Sequence, residues 1–118
     1  MPDTYASTIL TLPQIKQRLA ALDLIPLIEQ GFVAYSNGQA VIPPVGELLL
    51  EERSGEVHIK YGYIKGQTHY VIKIASGFAQ NALHGLPNSQ GTMLVFAQQT
   101  GVLEAVLLDE GHLTDVRT

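Results

Sequence analysis

The sequence has no cysteine in its 118 residues, so it offers no disulfide framework, no thiolate nucleophile and no thiolate-ligated metal. A chain without thiols suits a reducing, cytoplasmic setting. Basic residues are few: seven Lys and Arg stand against eleven Asp and Glu, for a net charge of −4, and they are scattered along the chain. That balance argues against DNA or RNA as a partner. No stretch approaches the roughly 20 consecutive apolar residues of a membrane span. The opening "MPDTYASTIL" has no basic start followed by an apolar run, so neither export nor a membrane partner is expected. The common catalytic signatures are missing too. There is no G-x-S-x-G, no Walker-type loop and no G-x-G-x-x-G after a strand, and His58, His69, His84 and His112 do not fall at metal-ligand spacing, so no metal is expected. Internal repeats, low-complexity tracts and linkers are likewise lacking.

What is present is a chain with 46% hydrophobic content, enough to bury one core and to form one domain. Thr11 and Gln14 in "TLPQ" make a capping box, after which Leu12, Ile15, Leu19 and Leu22 fall on one helical stripe. Asp23 reads as a second cap, and Leu24, Leu27, Ile28, Gly31, Phe32 and Tyr35 keep helical spacing until Ser36, Asn37 and Gly38 end it. From Gln39 the pattern turns to short β-rich runs: 40–42, 47–50, 57–64, 68–75, 92–96 and 102–108. Glycine-containing turns separate them, at 54–56, 65–67 and 98–101. Strands joined so briefly must pair antiparallel, since a parallel crossover needs a dozen or more residues. The expected class is α+β: two N-terminal helices, a mainly antiparallel sheet of about six strands, and the start of a last helix.

Several polar residues stand out against this frame. Lys73 interrupts "YVIKIAS", sharing a face with Val71 and Ala75. It either reaches solvent from an edge strand or meets an anion. Lys60 in "VHIKYGYI" sits in a similar setting. A two-residue loop at Lys65 and Gly66 would set Ile64 opposite Gln67 and His58 opposite Lys73, with Lys60 diagonal to them, so both lysines and His58 would share a face. An odd-length loop would part them. Two such lysines repel in an empty sheet, and a bound carboxylate or phosphate would explain the arrangement. The stretch 76–91 reads as a long loop, functional or merely an excursion. Thr114 and Asp115 look like a helix start. Arg117 then falls in the first turn, where it either adds a planar fork to the free N–H groups or lies solvated. Asp109 and Glu110 read as turn and cap residues, and His84 as a loop polar group.

In order and content the residues resemble the ornithine cyclodeaminase and μ-crystallin family of NAD(P)-dependent enzymes. The matching stretches are "VIPP" at Val41–Pro44, "VIKIASGFAQN" around Lys73, "HGLPNSQG" from His84, and "QQTGVLEAVLLDEGHLTDVRT" to the end. The resemblance implies that residues 1–118 form an N-terminal substrate-binding and dimerisation domain, a fragment whose last helix leads toward a separate Rossmann domain. The implied cofactor is NAD or NADP, held by that other domain and not by this chain alone. The implied partners are a small α-amino or cyclic imino acid and a second copy of the chain. The implied chemistry is hydride exchange at the α-carbon, in ornithine cyclodeaminase or in pyrroline-2-carboxylate and ketimine reductases, with the catalytic aspartate in the other domain. By resemblance Lys73 binds the substrate carboxylate, Arg117 touches substrate and cofactor, and Asn88 contacts the cofactor. "PPVG" departs from the family's P-P-R: Val45 stands where an arginine usually binds the carboxylate, and Lys60 is the cation expected to substitute for it. The competing expectation is a non-catalytic binding or scaffold protein that keeps only the sheet and the pocket.

Overall fold

The computed structural model describes residues 7–118, leaving most of the N-terminal arm outside. The first strand, β1 (Thr8–Leu10), leads into α1 (Leu12–Leu19) and α2 (Leu24–Ser36). The remaining strands follow: β2 (Ala40–Val41), β3 (Gly46–Leu50), β4 (Gly55–Ile64), β5 (His69–Phe78), β6 (Ser89–Ala97) and β7 (Leu103–Leu107). Short 3-10 turns occupy Glu51–Arg53 and Asn81–His84, and α3 (His112–Arg117) closes the chain. No single helix among the described residues is long and apolar enough to cross a membrane.

The sheet runs β1-β7-β6-β5-β4-β2, with β3 also pairing to β4. Every ladder is antiparallel except β1 with β7, which is parallel and couples Thr8–Leu10 to Ala105–Leu107. The sheet therefore has a seventh strand beyond the expected set. The expected α1 stripe stops at Leu19, three residues short of Leu22. The capping box at Thr11 is present, with the Thr11 amide donating to Gln14 Oε1 at 2.9 Å. The long loop is shorter than expected, because β5 continues to Phe78 and β6 begins at Ser89, with Gly77 paired to Ser89.

Alternation gives the sheet two unlike faces. One cross-strand row is Lys60, Lys73, Met93, Leu107 and Leu10. The next row, on the opposite face, is Tyr61, Ile72, Leu94, Val106 and Ile9, entirely apolar or aromatic. Tyr63, Tyr70 and Phe96 extend that second face, with the Tyr70 and Phe96 rings stacked 4.9 Å apart. Segment α3 packs on the lysine face: a Cβ at Gly91 would stand 3.1 Å from Gly111 Cα, so the two glycines let the chain cross there. The aromatic face has no such cover. Ile9, Leu48, Ile59, Tyr61, Tyr63 and Ile74 are exposed, and among the described residues only Ile15 and Ala34, on the helices, are fully buried apolar groups.

Candidate functional site

The hairpin loop between β4 and β5 spans four residues, Lys65–Thr68, rather than two. The register therefore moves by two residues from the expected one. Lys60 lies directly opposite Lys73, and His58 faces Ala75 rather than Lys73. Because side chains alternate with a period of two, a shift of two leaves both lysines and His58 on one face. The β3–β4 ladder pairs Gly46 with Ile59, and its next step would bring Val45 opposite Lys60.

The last helix begins at His112 with Gly111 as its N-cap, three residues ahead of a helix capped by Thr114. Glu110 and Gly111 both take left-handed backbone, φ 53° and 85°, and turn the chain sharply. The capping side chain belongs to Asp109: its Oδ2 accepts from the Leu113 amide at 3.0 Å, and its carbonyl accepts from the His112 amide at 2.8 Å. Thr114 is therefore inside the helix, and its hydroxyl accepts a hydrogen bond from Lys73 Nζ. Arg117 lies at the C-terminal end of α3, not in its first turn, so it adds no fork to free N–H groups at a helix start. It lies three residues beyond Thr114, hence on the same helix side, and lines the same cleft as Lys73.

That cleft has a volume of about 580 Å³ and is lined by Lys60, Lys73 and Arg117, with Gly31 and Tyr35 of α2 on its far wall. Among the described residues, no Asp or Glu lines it. Asp109 is 1% exposed, and its Oδ1 has no hydrogen-bond partner among the described residues. Burial pushes the Lys73 ammonium below its ordinary pKa, repulsion from Arg117 and Lys60 adds to this, and Asp109 opposes it. An anion in the cleft would relieve both costs at once.

Asn88 lies elsewhere. Its carbonyl accepts from the Phe78 amide at 2.8 Å and its Oδ1 from the Ala82 amide at 3.1 Å, closing the 79–88 loop. It lines a second cleft together with Glu51 and Glu56, whose charge is unfavourable to a pyrophosphate. No G-x-G-x-x-G motif stands in the sequence. Two histidine–carboxylate contacts escaped sequence reasoning. His58 Nε2 meets Glu47 Oε2 at 3.1 Å across β3–β4, and His69 bridges the Thr68 hydroxyl and Glu104. Only the fold brings Glu104 within reach of His69, so no local pattern marks that pair. Among the described residues no group of three or more His, Asp or Glu could hold a metal.

An uncharacterized cyclodeaminase of Sinorhizobium fredii is 43% identical over 98 residues, covering 82% of this chain and 30% of the relative. A protein of Rhizobium meliloti named as a dehydrogenase is 38% identical over 96 residues, covering 81% and 29%. The chain thus spans under a third of these relatives. The Δ1-pyrroline-2-carboxylate reductase of Thermococcus litoralis, solved with NADH and L-proline, shares the fold at a TM-score of 0.78 with 22% identity, covering 93% of this chain and 33% of that one. The family model described as ornithine cyclodeaminase/mu-crystallin matches residues 6–118, so the chain belongs to the ornithine cyclodeaminase/mu-crystallin family.

Proposed function

We propose that this chain is the carboxylate-binding and self-associating part of an NAD(P)-dependent enzyme that acts on an α-amino or cyclic imino acid. The observation that carries the reading is the convergence of Lys60, Lys73 and Arg117 on one cleft that no carboxylate among the described residues lines. In this reading Lys73 and Arg117 grip the substrate carboxylate, with the Thr114 hydroxyl steering the lysine. Lys60 completes the cationic rim in place of the arginine missing at Val45. Fixing the carboxylate sets the α-carbon in register for reaction. In this reading the dinucleotide is held by residues outside this chain.

The exposed aromatic face supports the second half of the reading. A face holding Tyr61, Tyr63, Ile59, Ile74 and Leu48 is far more apolar than a solvated sheet, and a two-fold pairing of copies would cover it.

Titration of the chain with pyrrole-2-carboxylate, followed by amide NMR, tests the site. Shifts should concentrate at Lys73, Thr114 and Arg117 and disappear in both Lys73→Met and Arg117→Met, while NADH should produce none. Absence of carboxylate binding overturns the reading in favour of a scaffold with no pocket function. Light scattering that finds only monomer at millimolar concentration overturns the pairing of copies.

A further inference from the structure

The cleft lies between α2 and α3, over β4 and β5. On its floor Lys60 stands opposite Lys73 and, one row on, Gly62 stands opposite Val71. Arg117 of α3 joins the lysines, and Gly31 and Tyr35, one turn apart on α2, form the other wall. Because side chains alternate, Val71 points to the same face as Lys73, about 7 Å along the strand. Ile64 follows Gly62 on that face. Ile42 lies over Gly62, since a Cβ built on that glycine would meet Ile42 Cγ1 at 3.2 Å. The cations therefore gather at one end of the cleft, and Ile42, Ile64, Val71 and Tyr35 make the surface beyond them.

The two ends suit different chemistry. In the reading above Lys60, Lys73 and Arg117 share a single carboxylate, which occupies the charged end. The acids on the surrounding strands are turned to other partners: Glu47, on the same face as Lys60, meets His58, and Glu104 meets His69, and neither lines the cleft. Ile42 is 56% exposed and Tyr35 63%, so carbon surface stands open directly beside an anion site. A carboxylate held by the cations carries its tail across that surface, and each methylene buried there strengthens binding about fourfold. A tail ending in an ammonium gains least, because it gives up water beside three cations with no lining carboxylate to receive it.

We infer that Ile42, Ile64, Val71 and Tyr35 form an apolar side-chain subsite, so that the substrate is an α-amino or α-imino acid with an aliphatic side chain of several carbons, its carboxylate at the cations and its side chain over Val71. This rests on the reading proposed above and deepens it by naming the substrate class. Val71 and Ile42 are the specificity-determining residues. Diamino acids such as ornithine are disfavoured by their distal charge, and a methyl side chain is too short to reach Val71.

The probes are acetate, isocaproate and δ-aminovalerate, which offer one carboxylate with no tail, with an apolar tail and with an ammonium-ended tail. Each is titrated into the 118-residue chain and followed by amide NMR. Isocaproate should bind at least about tenfold more tightly than either of the others, with shifts at Ile42, Ile64 and Val71 added to those at Lys73 and Arg117. Val71→Thr keeps the side-chain shape but adds a hydroxyl; it should cut the isocaproate advantage at least about threefold and change acetate affinity less than about twofold. Ile42→Asp should reverse the preference between isocaproate and δ-aminovalerate. Ile42 is exposed, so that variant should fold, and its amide spectrum checks that it does. Equal affinity for acetate and isocaproate, or an isocaproate advantage that survives both variants, overturns the apolar subsite while leaving the carboxylate site intact. If none of the three acids binds, the inference and the reading beneath it both fall.

Discussion

Gly62 lies between Lys60 and Ile64 on β4 and lines the cleft. A Cβ added there would stand 2.7 Å from the Val41 carbonyl oxygen and 3.2 Å from Ile42 Cγ1. Carbon and oxygen rest no closer than about 3.3 Å even in the favourable Cα–H···O contact, so the strands must part by roughly 0.6 Å. The obstructing atom is backbone, which no rotamer change can clear. The strand that must yield, β2, is held by only two register pairs, Ala40 with Ile64 and Val41 with Tyr63. Next to it the Lys65 amide donates to the Gln39 carbonyl at 2.9 Å, and the Gln39 amide to the Ala34 carbonyl at 2.9 Å, tying the end of α2 to the hairpin. Overpacking of this kind costs about 1 to 3 kcal/mol. For a domain of this size that lowers the melting temperature by about 4 to 12 °C. Gly62→Ala should therefore melt earlier by circular dichroism, and amide exchange should quicken at Gln39, Ile64 and Lys65 before it does in β5 or β6. Gly31→Ala is the control. It lines the same cleft from inside α2 with nothing within 4 Å of the added Cβ, and should gain about 0.5 to 1 kcal/mol from helix propensity. A Gly62→Ala chain that melts within about 1 °C of the parent, or that moves in the same direction as Gly31→Ala, refutes the reasoning.

Asp109→Ala removes a charged acceptor from the Leu113 amide and should cost about 1.5 to 3 kcal/mol in denaturant unfolding. Asp109→Asn can keep that bond but not the charge, so the Lys73 titration, followed by NMR of its ε-methylene, should move further down, and an unmoved titration would disprove the coupling. The folded-state pKa of Lys73 lies below the unfolded one, 10.5, so over the interval between the two pKa values the unfolded chain binds more protons and stability rises with pH. Lys73→Met abolishes that rise. Its stability advantage over the parent should shrink as pH approaches 10.5, and a gap that widens instead, in paired denaturant melts, would contradict the assigned shift.

Much of the frame could be read from local pattern. The capping box at Thr11, the helical spacing after Asp23 and the alternation of β4 to β7 each depend on neighbours within a few residues, and each element is present. The placing of the lysines on one face survived a wrong loop length because the sheet repeats every two residues; the shift changed only which residues stand opposite, Lys60 replacing His58 as the partner of Lys73. What local pattern could not supply is what non-local geometry decides. Three residues, Thr8–Leu10, show no alternation long enough to mark a strand, and their partner is β7 at the far end of the sequence. Thr114 followed by Asp115 imitates a helix start. Asp109 holds the cap instead, because Glu110 and Gly111 reverse the chain in a way that a glutamate at positive φ does not advertise. The consequence for the site is direct, since Arg117 reaches the cleft from a helix end and not from a first turn.

The parallel seam between β1 and β7 also bears on the order in which the molecule assembles. Ser7 Oγ donates to the Leu103 carbonyl across 96 residues of chain, and the Leu108 amide donates to the Leu10 carbonyl. Strands β4 to β7 can zip up hairpin by hairpin, each closing a short loop, but β1 has nowhere to go until β7 exists. The earliest strand to leave the ribosome is therefore the latest to find its place, waiting while nearly a hundred residues are made at about 5 to 20 per second. Its loop-closure entropy is repaid by three residue pairs alone. In the finished protein the same seam is the natural place for opening to begin: β1 should peel from the sheet edge in fluctuations that leave the lysine cleft, whose nearest strand, β5, is three strands away, undisturbed.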